Sequence, residues 1–179
     1  YGTPAGDFPD NAGRFATLVR AGLHAARVLD WRPDVIHAHD WQGALAPVLL
    51  RLEREAAPHD ASPASILTVH NLAYQGTTGR LILTFTQMEY VKHLPIEQPG
   101  TVNWMAQGIA HADLVSTVSE RYAQEILTPE IGMGLAPLLE ERRDLLETAI
   151  RIDGQYAEDL TSVDGDTILV ALPPGLMDG

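Results

Sequence analysis

The sequence predicts an α/β domain, a parallel sheet with helices on both faces. Two observations carry that prediction. Short β-rich runs, "DVIHAH", "SILTV" and "DLVSTV", alternate with longer stretches of helical periodicity, the pattern of right-handed βαβ crossovers. Each run also ends abruptly in polar residues: His39-Asp40, His70-Asn71, and Ser116 to Ser119. In open parallel sheets, ligands bind outside the carboxyl ends of the strands.

The elements follow in order. Residues Tyr1 to Asp10 hold Gly and Pro signals and read as loop. From Asn11 the spacing predicts a helix whose apolar face is Phe15, Leu18, Val19, Gly22, Leu23, Ala26 and Leu29. Asp10 or Asn11 is its expected cap, and Trp31-Arg32-Pro33 its stop. After "DVIHAH" comes a helix over Gln42 to Glu55, striped by Leu45, Val48, Leu49 and Leu52. A Pro- and Ala-rich linker leads to "SILTV". A short helix is expected near Gln87 to His93, another at Asn103 to Ala112, and "DLVSTV" supplies the third strand. Ser119 then caps a helix reaching Leu127. A further helix is expected over Leu135 to Leu146 and a strand-like run at Thr167 to Leu172.

Composition narrows the function. The 179 residues suffice for one domain with a sizeable core. Lys and Arg total 12 against 24 Asp and Glu, a formal charge of -12. Such a chain lacks the basic footprint of a nucleic-acid binder and is repelled by anionic membranes. There is no cysteine, so disulfides and thiolate metal sites are excluded. No apolar run is long enough to span a bilayer. The chain opens on Tyr1 without an initiator Met or a leader, and reads as cut from something longer. Phosphate loops of the G-x-G-x-x-G or G-x-x-x-x-G-K-[ST] kind are missing, and "GMG" at Gly132 to Gly134 reads as a turn.

Candidate site residues therefore come from the strand ends. His37 alternates with Ile36 inside its strand and reads as structural. Asp40 has two readings, a site carboxylate or the N-cap of the following helix. The pattern H-x-H-D with a third histidine downstream also admits a metal-dependent hydrolase built on His37, His39 and His70, because residues two apart share one strand face. A fourth ligand in register is missing from that pattern.

Three longer motifs point to one family. "PDVIHAHDWQGALAP", "TVHNLAYQG" and "ADLVSTVSERYAQEILTPEIGMGL" resemble the bacterial glycogen synthases and plant starch synthases, and "YGTPAGDFPDNAGRFA" is similar to the segment preceding them. The resemblance runs from Tyr1 to about Leu139. It implies a cytoplasmic retaining glucosyltransferase of the GT-B type, built from two Rossmann-like domains, which transfers glucose from ADP-glucose to the non-reducing end of an α-1,4-glucan. It implies no cofactor and no metal. By the resemblance, His70 lines the donor-glucose site and stabilises positive charge near the anomeric carbon through its backbone carbonyl, with Asn71 as polar support. Asp40 accepts sugar hydroxyl hydrogens and Trp41 packs on a pyranose face. Gln75 and Gly76 complete the loop, and Tyr1 matches a tyrosine near the acceptor groove.

The sequence also departs from the family. The Lys-x-Gly-Gly loop and the second domain lie outside these residues. The family's Asn-Gly-Ile-Asp signature has only "RIDG", Arg151 to Gly154, as its nearest match, and a family lysine near Met105 to Gly108 is replaced by Ala106 or Gln107. The expected organisation is a partial N-terminal domain over 1–150 and a divergent tail over 151–179. The implied function is that of a glycogen synthase fragment, inactive by itself, with a non-catalytic glucan-binding module as the alternative.

Overall fold

The computed structural model describes residues 2–4, 6–58, 62–86 and 100–143. Two very short strands, β1 (Gly2–Thr3) and β2 (Gly6–Asp7), pair antiparallel ahead of helix α1 (Asn11–Val28). Then come β3 (Val35–His39), the turn of helix α2 (Asp40–Gly43), α3 (Leu45–Ala56) and β4 (Ala64–Val69). A second small antiparallel pair, β5 (Thr77–Gly79) and β6 (Thr101–Asn103), brackets α4 (Leu81–Thr86). Helix α5 (Trp104–His111), β7 (Leu114–Thr117), α6 (Glu120–Glu125) and α7 (Ala136–Glu141) follow.

The main sheet has the order β3-β4-β7, all parallel. Its register sets His39 beside Thr68 and Thr68 beside Ser116. Because side chains alternate along a strand, one face carries Ile36, Ala38, Leu67, Val69 and Val115, all part of the main core with residues of α1, α2, α3 and α5. The other face carries Val35, Ile66 and Leu114 as a small cluster, and above it the polar row His37, Thr68, Ser116. Strand β4 is buried along nearly its whole length, which is why its sequence is an apolar run rather than an alternation. Helix α5 is the central helix. Trp104 to Ile109 are all buried, and Gly108 lets it approach closely. A Cβ there would lie 2.7 Å from the Ala44 Cβ and 2.8 Å from a Leu67 methyl.

Several local expectations change. Leu18 and Leu29 of the predicted α1 face are 64% and 74% exposed. Phe15, Ala16, Val19 and Ala26 make the contact instead, because the surface α1 meets is narrower than its apolar stripe and the helix has ended by Leu29. No side chain caps the start of α1, since the Asn11 Oδ1 accepts from Arg14 Nη1 at 3.1 Å. The helix stops before the Trp-Arg-Pro signal, in a Schellman turn. Asp30 takes a left-handed φ of 49°, and Trp31 N–H donates to the Ala26 carbonyl at 2.8 Å. The stretch Gln42 to Glu55 divides at Ala44, with Pro47 in the first turn of α3, where its missing N–H costs no intrahelical bond. The Ser119 cap is found as expected, accepting from Tyr122 N–H at 3.1 Å, and Asn103, expected only to start its helix, caps α5 by accepting from Ala106 N–H at 3.0 Å. The last described helix covers Ala136–Glu141. The expected helix near 87–93 and the strand-like run at 167–172 lie outside the described residues.

Candidate active site

Strands β3 and β4 end side by side, so the residues that follow them, Asp40 and His70, meet at the carboxyl edge of the sheet. Asp40 leaves the strand with a left-handed φ of 50°. That turn sends α2 beneath the edge and aims the carboxylate across to the next loop. Asp40 Oδ1 accepts the His70 N–H at 2.8 Å and, at a longer 3.4 Å, the Asn71 N–H. Of the two readings open for Asp40, capping its own helix fails: His39 occupies the N-cap, without a side-chain cap bond. The carboxylate instead holds the loop.

The loop from His70 to Gly76 is tied down along its length. Asn71 Oδ1 accepts from Ala73 N–H at 2.9 Å, an Asx turn. Leu72 is fully buried and its N–H donates to Tyr122 Oη at 3.1 Å. Gln75 spends its amide on structure. Its Nε2 donates to the carbonyls of Leu72 (3.1 Å) and Met133 (2.9 Å), and its Oε1 accepts from Asn103 Nδ2 at 2.5 Å. Gly76 closes the loop at φ 65°, packed so near Trp41 that a Cβ would stand 2.2 Å from the indole Cε3. Only glycine meets both demands.

Beside this loop lies a cleft of about 540 Å³, lined by Phe8, Trp41, Tyr74, Gln75, Gly76 and Thr78 among others. Trp41 is 7% exposed. Phe15 meets its ring edge-on at 5.0 Å between centroids, and Gly76 covers it. The indole thus packs into the core and also lines the cleft. Tyr74, 55% exposed, and Phe8, 40% exposed, are the aromatics offered to solvent on the same cleft.

Three imidazoles run along the edge. His39 Nδ1 stands 3.1 Å from His70 Nε2, and the rings of His37 and His39 lie 4.3 Å apart. His37 Nε2 is 2.6 Å from Thr68 Oγ1, itself 2.7 Å from Ser116 Oγ. Burial, and then the neighbouring imidazoles, hold the pKa of His37 below 6.5. For His39 burial again leads and His70 adds to it, while Asp40 pulls the other way. Among the described residues no group of three His, Asp or Glu side chains is arranged to hold a metal ion. The reason is visible in the pairing: these histidine nitrogens point at one another and at a hydroxyl, not at a common centre.

The sequence profile described as the starch synthase catalytic domain matches residues 1–141. The chain belongs to that family. Among curated relatives, glycogen synthase 2 of Geobacter sulfurreducens is 46% identical over 146 residues, which is 80% of this chain and 30% of that one. The glycogen synthase of Geotalea uraniireducens is 45% identical over 141 residues, 78% of this chain and 29% of that one. The catalytic domain of Starch Synthase IV from Arabidopsis thaliana, bound to ADP and acarbose, matches with a TM-score of 0.67 and 30% identity over 82% of this chain and 30% of its own. The chain thus spans about 30% of the length of these relatives. Its sheet is Rossmann-like, part of the N-terminal domain of the GT-B fold, as the sequence predicted. Among the described residues no helix is long and apolar enough to cross a membrane.

Within this family member the structure brings together His70, Asn71, Asp40, Trp41, Gln75 and Gly76. Tyr1 lies outside the described residues. The side chains of Gln75 and Trp41 hold the loop and line the cleft. Sequence reasoning missed His39 as a partner of His70, Asn103 as a partner of Gln75, and Tyr74 as an exposed aromatic. Only Tyr74 had a readable signal, being the aromatic inside the His-Asn loop.

Proposed function

We propose that this chain supplies part of the catalytic cleft of a cytoplasmic, retaining glucosyltransferase that moves glucose from ADP-glucose to the non-reducing end of an α-1,4-glucan. The observation that carries the reading is the His70 peptide, gripped by Asp40 at the carboxyl edge of the sheet, at the start of the loop whose residues Ala73 to Gly76 line the cleft. Family membership supports it, as does the ADP and acarbose bound to the Arabidopsis relative.

The geometry suits the chemistry. Among the described residues no peptide bond is cis, so the His70 carbonyl points opposite to the Asn71 N–H that faces Asp40. A carboxylate on the N–H side polarises the peptide and raises the negative charge on the carbonyl oxygen. That oxygen is the group assigned to the positive charge developing at the anomeric carbon, and a preorganised dipole lowers the barrier without reorganising. The His70 ring and Asn71 hydrogen-bond sugar hydroxyls, Tyr74 offers a ring face to the glucan, and the clamped loop holds them in place. Asp40 Oδ2 has no partner among the described residues and is available to a hydroxyl.

Fusing this chain to the uncovered part of the Geobacter sulfurreducens glycogen synthase 2 is expected to give ADP-glucose-dependent elongation of maltooligosaccharides, abolished by His70→Ala. The 179-residue chain alone is expected to bind maltooligosaccharide weakly, less so with Tyr74→Ala, and to extend nothing. A folded fusion that binds glucan yet never extends it would overturn the catalytic reading in favour of a glucan-binding module.

A further inference from the structure

His70 is held at two points. Its N–H donates to Asp40, and its ring Nε2 faces His39 Nδ1 at 3.1 Å. The second contact is between two imidazoles, and an N–H···N bond needs one protonated and one bare nitrogen. Neutral imidazole carries one proton, so the contact couples the tautomers of the two residues. If His39 donates from Nδ1, His70 must carry its proton on Nδ1. If His70 donates from Nε2, His39 must carry its proton on Nε2. Either way both residues hold the same tautomer, and His70 Nδ1 is the ring nitrogen left for a ligand.

The surroundings favour this neutral pair. His37, on the same face of β3, lies against the His39 ring with its own Nε2 at Thr68, and Thr68 meets Ser116. The ionisable groups around the pair are His37 and His39 from β3, His70 from the loop after β4 and Asp40 from α2, with no Lys or Arg bonded to them among the described residues. Protonating both imidazoles would break the bond and bring two cations together.

We propose that His39 is a positioning residue, which fixes the tautomer and the direction of the His70 imidazole so that Nδ1 faces the sugar. This rests on the reading of His70 as a cleft residue, yet it is tested separately. Imidazole ¹⁵N spectra of the isotopically labelled, unliganded chain above pH 7 are expected to show one tautomer for each residue, both δ or both ε. His39→Phe is expected to leave His70 as an averaged mixture, and His39→Asn, whose amide replaces the facing nitrogen, to restore a single form. Opposite or averaged tautomers in the unaltered chain overturn the proposal. So does a His70 signal indifferent to His39→Phe in a variant whose amide dispersion shows it folded. In the active fusion, His39→Phe should lower kcat roughly three- to tenfold, the worth of one hydrogen bond, with KM changed less and His39→Asn recovering most of the loss. Matched tautomers together with undiminished turnover in His70→Ala would sink the functional reading and leave the positioning intact.

Discussion

The two edges of the sheet each carry an aspartate that accepts a backbone N–H, and they use it differently. At the amino edge, Asp113 takes both guanidinium nitrogens of Arg54 at 2.8 and 2.7 Å, the Ser65 N–H at 2.7 Å and the Ser65 hydroxyl at 2.8 Å. Burial pushes the carboxyl up, but the Arg54 and Ser65 hydrogen bonds outweigh it and hold the pKa below 3.8. At the carboxyl edge, Asp40 accepts from the His70 loop, and among the described residues no Arg or Lys pairs with it. One edge neutralises its own charge and fills its lone pairs. The other keeps a negative charge and unspent polar groups facing outward. The first arrangement holds strands together; the second is what a site for a polar ligand requires.

That contrast can be broken by substitution. Asp113→Ala strips Arg54 and Ser65 of their acceptor and is expected to cost about 3 kcal/mol in denaturant unfolding; a loss under about 1 kcal/mol would erase the distinction between the edges. The pH dependence follows in sign. A carboxyl with a depressed folded pKa contributes its full stability above the unfolded value of 3.8 and loses it as pH falls through the folded value. Asp113→Asn should remove that part of the acid transition. Asp40→Ala is expected to cost only about 1 kcal/mol of stability, and Asp40→Gly less, because glycine accepts the left-handed backbone. Both should cut turnover of the active fusion by about 100-fold or more. Equal stability losses at Asp40 and Asp113 would contradict this assignment.

Smaller effects sharpen the picture. His37 and His39 have folded pKa values below 6.5, so below that pH the unfolded chain binds protons first. Stability should therefore fall as pH drops from 6.5 towards the folded values, and the slope should flatten in a His37→Gln, His39→Asn double variant. A slope unchanged by both replacements would place its origin elsewhere. The least effect is expected at the exposed Arg51–Glu55 pair, 2.9 Å apart one helical turn from each other. There Arg51→Ala should change the unfolding free energy by about 0.3 kcal/mol.

Much of the fold was legible because local signals and burial agree. The run "SILTV" reads as a strand since β4 is buried along nearly its whole length, and Ser119 reads as a cap because a cap needs only its own next turn. The roles at the site were less legible. Asp40 looks like a cap in sequence, but the N–H it accepts lies 30 residues on. Trp41 reads as an exposed ring in sequence, but its packing against Phe15 and under Gly76 depends on residues distant in the chain. Leu18 looks like core because its spacing fits, and it is exposed because the surface α1 meets is narrower than its apolar stripe. The His39–His70 contact is a product of strand register, which one sequence leaves unstated.

Gln75 joins segments that are far apart in the chain, its amide reaching Asn103, 28 residues ahead, and the Met133 carbonyl, 58 residues ahead. The His-Asn loop is therefore not a portable cassette. A designer who grafts only residues 70–76 onto another parallel α/β scaffold transfers the letters of the motif and leaves behind Asp40, Tyr122, Asn103 and the Met133 carbonyl that hold it. A faithful transplant carries Asp40, Tyr122, the start of α5 and the turn before α7 with it.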